Sequence, residues 1–207
     1  MKMRLRGQIK SKERVAKHGE VFTNPREVKA MCDLVKDECE RIDAKFLEPA
    51  CGEGVFLVEI LKRKLNTIKN NLKKEWLINS FKAISSLYGI DIMQDNCTIC
   101  RNNLFRLWLE EYGKKYEIEN GEAKFFVYLI LSLNIICGNT LSTYRVDENQ
   151  KDTDKLICFS DWKFVNGFAY RKEFALKNLL NEQQDLFTGD NDKIYTYNIE
   201  EIWNTHI

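Results

Sequence analysis

The segment Phe46-Leu-Glu-Pro-Ala-Cys-Gly-Glu-Gly-Val-Phe-Leu57 gathers residue types from which a small-molecule site can be built. A short apolar run ends on an acid, Glu48, and is broken by Pro49. Gly52 and Gly54 follow, and an apolar helix pattern opens at Val55. Glycine has no Cβ, so its backbone can approach a ligand closely, and the unpaired N–H groups of a helix start can donate to an anionic one. A Gly-x-Gly pair alone also serves ordinary strand-to-helix turns, so its surroundings must carry the argument. A second acid, Asp91, closes the run Leu87-Tyr-Gly-Ile-Asp91. Other chemistry is sparse. Cys97 and Cys100 form a Cys-x-x-Cys inside a helical pattern, with no second pair to complete a tetrahedral zinc site. As a redox pair they would need a helix N-terminus, which Asp95-Asn96 could cap, but buried small apolar residues are the plainer reading. His18 and His206 lie near opposite ends without a partnered Ser or Cys, which gives no nucleophilic triad. No metal ligand set and no catalytic residue is identified.

These residues need strands that end, and helices that begin, in the right places. Pro25 fits the first position of a helix capped by Thr23 or Asn24, and Val28, Met31, Cys32, Leu34 and Val35 extend it over 25–41. Residues 45–48 read as a strand, and the helix after the glycines runs through Leu57, Val58, Ile60, Leu61 and Leu65. A further helix is expected over 71–85, a strand over 87–91, helices over 93–112 and 121–131, and a third strand over 134–137 ended by Gly138. Beyond residue 141 the signal weakens. Residues 143–154 read as a polar loop, 156–159 as a strand, and 167–180 as a helix through Phe168, Phe174, Leu176 and Leu180. Strands alternating with helical crossovers imply an α/β fold with a parallel sheet, whose ligands bind beyond the carboxyl ends of the strands.

Composition sets the outer limits. The 207 residues are 44% apolar and 30% charged, enough for one packed domain and unlike a disordered chain. A net charge of +1 gives no global field toward nucleic acid. The charge is uneven, however. Residues 1–17 carry seven Lys/Arg against one Glu, and residues 181–207 carry six acids against one Lys. The division expected is a basic arm (1–17), a central domain (18–180) and an acidic tail (181–207). The arm is either a solvated surface or a contact to phosphates. Seven cysteines, an odd number without framework spacing, point to free thiols in a reducing cytoplasm. The longest apolar-rich run, 125–137, is too short to span a bilayer, and the basic N-terminus lacks the apolar region of a secretory signal.

In this setting Glu48-Pro-Ala-Cys-Gly-Glu-Gly54 closely resembles motif I of the adenine-N6 DNA methyltransferases, in the branch whose cofactor motifs come first along the chain. Gly19-Glu-Val-Phe-Thr-Asn-Pro25 resembles their motif X, Tyr88-Gly-Ile-Asp-Ile-Met93 motif II, and Ile136-Cys-Gly-Asn-Thr-Leu141 motif III. The resemblance covers 18–141 in the family's order. It implies a Rossmann-like fold with a parallel-rich sheet flanked by helices, incomplete at the C-terminal side, and S-adenosylmethionine as cofactor. The cofactor-binding residues it implies are Phe22, Thr23, Glu48, Ala50, Gly52, Gly54, Asp91, Ile92, Asn139 and Thr140. Glu48, Gly52 and Gly54 would line the methionine end, with Thr23 near its carboxylate. Asp91 would accept from the ribose hydroxyls, which suits the two oxygens of a carboxylate. Ile92 or Met93 would pack on the adenine. Asn139 stands where the family has an aspartate that accepts from the adenine amine, and Asn24 separates a Thr and a Pro that the family keeps adjacent.

The family's catalytic motif IV, Asp/Asn-Pro-Pro-Tyr/Phe, cannot be formed here, because Pro25 and Pro49 are the only prolines. Its polar side chain and a proline carbonyl accept from the target amine while its aromatic stacks on the flipped base. Asp161-Trp162-Lys163-Phe164 is the nearest acid–aromatic cluster, and a strand-end tryptophan is its plain reading. The expectation is therefore the cofactor-binding part of a restriction–modification DNA methyltransferase, with DNA as substrate. A partner modification or specificity chain would complete it. The alternatives are a cofactor-binding regulatory module without chemistry, and a methyltransferase with another acceptor.

Overall fold

A computed structural model describes residues 23–71, 75–115, 121–180 and 194–199. Asn24 caps the first helix, α1 (Pro25–Leu34), its side chain accepting from the Arg26 N–H at 2.9 Å. The helix expected over 25–41 is broken at Val35, and α2 (Lys36–Glu40) follows. β1 (Phe46–Glu48) leads to α3 (Val55–Asn71) and α4 (Trp76–Ser85), then to β2 (Leu87–Asp91). α5 (Gln94–Lys115) and α6 (Gly121–Asn134) connect β2 to β3 (Ile135–Asn139). β1, β2 and β3 are adjacent and parallel, with Glu48 opposite Gly89 and Asp91 opposite Cys137. Their carboxyl ends therefore lie side by side.

Two faces of this sheet are covered differently. On one, Leu87, Gly89 and Ile135 meet α3 and α5; a Cβ on Gly89 would stand 3.0 Å from Ile135 and 3.1 Å from Leu57 and Cys51. On the other, Tyr88, Ile90 and Ile136 pack with Ile157, Phe159 and Leu176 in a separate apolar cluster. The Tyr88 ring meets Phe159 edge-on at 5.3 Å. Behind α4, the buried Trp108 stacks on Tyr112 at 4.8 Å and donates from Nε1 to Ser80 Oγ at 2.9 Å.

Past β3 the chain departs from the expected pattern. Residues 143–154 are not a polar loop but a hairpin. β4 (Tyr144–Val146) and β5 (Asp152–Leu156) extend the main sheet antiparallel. They were hidden because β4 is only three residues long, half-buried at Tyr144 and Val146, and β5 is polar and largely exposed, so neither shows a sustained apolar alternation. Residues 167–180 are mostly strand as well. β6 (Cys158–Val165) and β7 (Phe168–Ala175) pair around Asn166-Gly167, whose positive φ angles of 49° and 79° make a two-residue turn. Only α7 (Leu176–Leu180) is helical there. Inward positions of β7 include Ala169 and Arg171, so the apolar residues that remained fell by chance at helical spacing. β8 (Ile194–Asn198), within the segment read as an acidic tail, pairs with β7. Among the described residues no helix is long and apolar enough to cross a membrane.

A lysine ammonium is buried without a carboxylate among its hydrogen-bond partners. Lys64 on α3 has no exposed surface, and its Nζ donates to Ala44 O and Ser86 Oγ at 2.5 Å and to Ile42 O at 3.2 Å. It ties α3 to the strands it must cover, and burial holds its pKa down to about 7.

Candidate functional site

The loop after β1 is held by backbone bonds before any ligand is considered. Cys51 N–H donates to Ile90 O at 2.8 Å, Gly54 N–H to Cys51 O at 2.8 Å, and Val58 N–H to Gly54 O at 2.8 Å. Asn103 of α5 donates to Glu53 O at 3.0 Å. Both glycines have left-handed φ, 52° at Gly52 and 83° at Gly54, but they differ in what faces them. A Cβ on Gly54 would run into Sγ of the buried Cys100. A Cβ on Gly52 would meet nothing within 4 Å. That open space is where backbone can approach a ligand.

The contrast gives a testable pair. Gly54→Ala combines roughly 1–2 kcal/mol of backbone strain with about 1–3 kcal/mol of overpacking against Cys100. Gly52→Ala carries the strain alone. Urea unfolding of both variants is expected to rank Gly54→Ala the less stable; equal midpoints would refute this division of roles.

Asp91 ends β2 and faces the loop. Its Oδ2 accepts from Gly52 N–H at 2.9 Å, and its Oδ1 from Met93 N–H at 2.8 Å and Asn96 Nδ2 at 3.1 Å. A carboxylate has about four acceptor positions, so about one remains for an outside donor. The residue expected to serve two hydroxyls is thus first a clasp between the two loops. Ile92 and Met93 follow it half-buried, an apolar wall beside the carboxylate. Glu48, half-buried at the end of β1, has its pKa raised by burial against a backbone bond from Ala50 that lowers it.

The end of β3 joins the same region. Thr140 Oγ1 donates to Pro49 O at 2.6 Å, so the loops after β1 and β3 touch. Asn139 Oδ1 accepts from Leu141 N–H at 3.1 Å, and its Nδ2 donates to Asp152 Oδ1 at 3.2 Å. Gln150, at the turn of the β4–β5 hairpin with a φ of 61°, places Nε2 3.1 Å from Met93 Sδ. Asp152 and Gln150 were not singled out in the sequence. The Asp147-Glu-Asn-Gln150 turn between polar strands was the available signal, since Asp147 accepts from the N–H groups of Asn149 and Lys151.

Glu48, Gly52, Asp91, Asn139 and Thr140 are thus brought to one end of the sheet, with Ala50 exposed in the first loop. Thr23 is half-buried ahead of α1 and makes no hydrogen bond to the glycine loop, and Phe22 and the basic arm lie outside the described residues. The Cys-x-x-Cys belongs to the packing. Cys51 is hydrogen-bonded to Cys100 and Cys97, and Cys97 to Cys137, beneath the loop. Contact with Cys100 and burial hold the Cys51 thiol well above the ordinary thiol range, which keeps it protonated and unreactive. Among the described residues no cluster of three or more His, Cys, Asp or Glu is arranged to hold a metal ion. Asp161 pairs with Lys45 at 2.8 Å, at the amino end of β1 and opposite the site, while Trp162 is buried against Phe126.

The fold is mixed α/β, with three parallel strands joined by helical crossovers and continued by an antiparallel hairpin, and is compatible with a methyltransferase fold. The chain is similar, at 28% identity over 171 residues, to a Methanocaldococcus jannaschii protein called "Putative type II restriction enzyme and methyltransferase RM.MjaORFECS2P". The match covers 75% of this chain but only 14% of that protein. No family model matches the chain, and no solved structure matches it significantly.

Proposed function

We propose that this chain is the S-adenosylmethionine-binding part of a DNA adenine-N6 methyltransferase of restriction–modification type. The observation that carries the reading is the clasp of Gly52 N–H by Asp91, which sets an open glycine beside a carboxylate at the carboxyl ends of parallel strands. The chemistry present suits the cofactor. Gly52 allows close approach of its methionine end, and Asp91 retains an acceptor for a ribose hydroxyl. Ile92 and Met93 offer an apolar face to the base. Burial raises the pKa of Glu48, and an ammonium group beside it would favour its charged form. When bound, the cofactor supplies an electrophilic methyl on sulfonium sulfur; the protein's task is positioning. The similarity to a protein named as restriction enzyme and methyltransferase supports DNA as the substrate.

The 207 residues contain no proline after Pro49, so the Asn-Pro-Pro-Tyr type of catalytic loop is not among them. In this reading the loop and the DNA-recognition part lie in further sequence or in a partner chain. Calorimetry is expected to detect S-adenosylmethionine binding to these residues and to lose it in Gly52→Asp, which fills the open space with a charged side chain. Tritium transfer to adenine-containing DNA by the same residues alone is expected to stay at background. A folded wild type that binds no cofactor would refute the reading; robust transfer would refute the division of labour.

A further inference from the structure

At the end of β3 Asn139 is hydrogen-bonded to a carboxylate, Asp152. Asn139 has both ends of its amide committed, Oδ1 to Leu141 N–H and Nδ2 to Asp152. These two bonds fix which way the amide faces: its oxygen is turned to the backbone and its nitrogen to the carboxylate. Among the described residues the Asp152 carboxylate accepts from Asn139 alone, and it is exposed at the start of β5. By lone-pair count the carboxylate keeps about three acceptor positions and carries a charge, against about one neutral position on Asn139 Oδ1. The hairpin carrying it is also anchored over the neighbouring strand, since Gln150 Nε2 reaches Met93 Sδ. Asp152, Asn139, Gln150 and Met93 therefore form one continuous wall across the ends of β2 and β3.

We infer that Asp152, held in place by Asn139, is the group that selects a 6-amino purine in the bound cofactor. Gln150 closes the hairpin turn against Met93, where the base would lie. A base resting against Ile92 and Met93 with its exocyclic amine toward β3 would donate to the free oxygen of Asp152. A 6-oxo purine presents an acceptor there and would face a carboxylate with no proton between them. The inference rests on the cofactor reading above and adds the residue that sets base specificity.

The test compares S-adenosylhomocysteine with its 6-oxo counterpart, S-inosylhomocysteine, by calorimetry on the wild type, Asp152→Ala and Asp152→Asn. The wild type is expected to prefer the amino compound by about ten- to a hundredfold, the range for a hydrogen bond to a charged group. Asp152→Ala should weaken the amino compound and leave the oxo compound unchanged or bound more tightly, so that the preference collapses. Asp152→Asn can turn its amide nitrogen toward the oxo group, so it should narrow or reverse the preference. Because Asp152 is exposed, melting curves of both variants should overlay the wild type, separating misfolding from lost recognition. An equal loss for both ligands, or no loss for either, overturns the role of Asp152 while leaving cofactor binding intact. No binding of either ligand by the wild type overturns this role together with the cofactor reading.

Discussion

Stability is expected to rise between pH 7 and pH 9 by about 2 kcal/mol more in the wild type than in Lys64→Met, measured by urea unfolding across that range. Lys64 is fully buried, its hydrogen bonds go to two carbonyls and a hydroxyl, and burial lowers its pKa from 10.5 to about 7. The unfolded chain holds that proton up to about pH 10.5, while the folded chain releases it from about pH 7. Between those values the unfolded state binds more protons, so raising pH favours the fold. Each pKa unit corresponds to about 1.4 kcal/mol, so the penalty below pH 7 is roughly 5 kcal/mol and disappears toward pH 10.5. Buried thiols work the other way. Cys32, raised to about 11 chiefly by burial, stays protonated in the fold at pH values where it ionises in the unfolded chain. That opposing slope begins near pH 9 and is common to both proteins, so the difference between them isolates Lys64. Parallel curves would mean that Lys64 is charged within the fold.

Asp91→Ala is expected to reduce cofactor affinity by at least a hundredfold and to cost about 2–4 kcal/mol of stability. Hydrogen bonds to a charged group contribute roughly 1.5–3 kcal/mol each, here partly offset by water reaching the loop. The variant removes the acceptor for Gly52 N–H, Met93 N–H and Asn96 together. Asp91→Asn separates the two effects. Its single oxygen can keep Met93 and Asn96, but its amide nitrogen would point a donor at the Gly52 N–H. Calorimetry and urea unfolding on both variants would show affinity falling further than stability in Asp91→Asn. Unchanged cofactor affinity in Asp91→Ala would remove Asp91 from the site.

The sequence carried the front half of the fold well because its punctuation was chemical. Pro25, Pro49 and the two glycines mark places where backbone geometry is restricted or freed, and elements began and ended there. The strands after β3 were illegible for a different reason. β4 is too short for a pattern and β5 is polar and largely exposed, so their pairing comes from the backbone, which leaves little trace in side-chain pattern. Asn166-Gly167 did announce its hairpin, but the apolar spacing of Phe168, Phe174 and Leu180 competed with it. Within the site, identity was legible but assignment was not. Asp91 stood out as an acid at a strand end, yet its clasp on Gly52 depends on a contact 39 residues away. Lys64 could not be found at all, since a lysine in a helix ordinarily reads as surface.

The order of strands also fixes how anything can reach this site. Among the described residues β1 pairs only with β2, whereas beyond β3 the sheet continues into β4 and β5. Among the described residues the hairpin lies on one flank of the glycine loop and an unpaired strand edge on the other. On the proposed reading the base rests on the hairpin side, and the loop is a berth approached along β1. A large acceptor would then present itself sideways to the loop, and whatever completes the reaction would occupy that same flank.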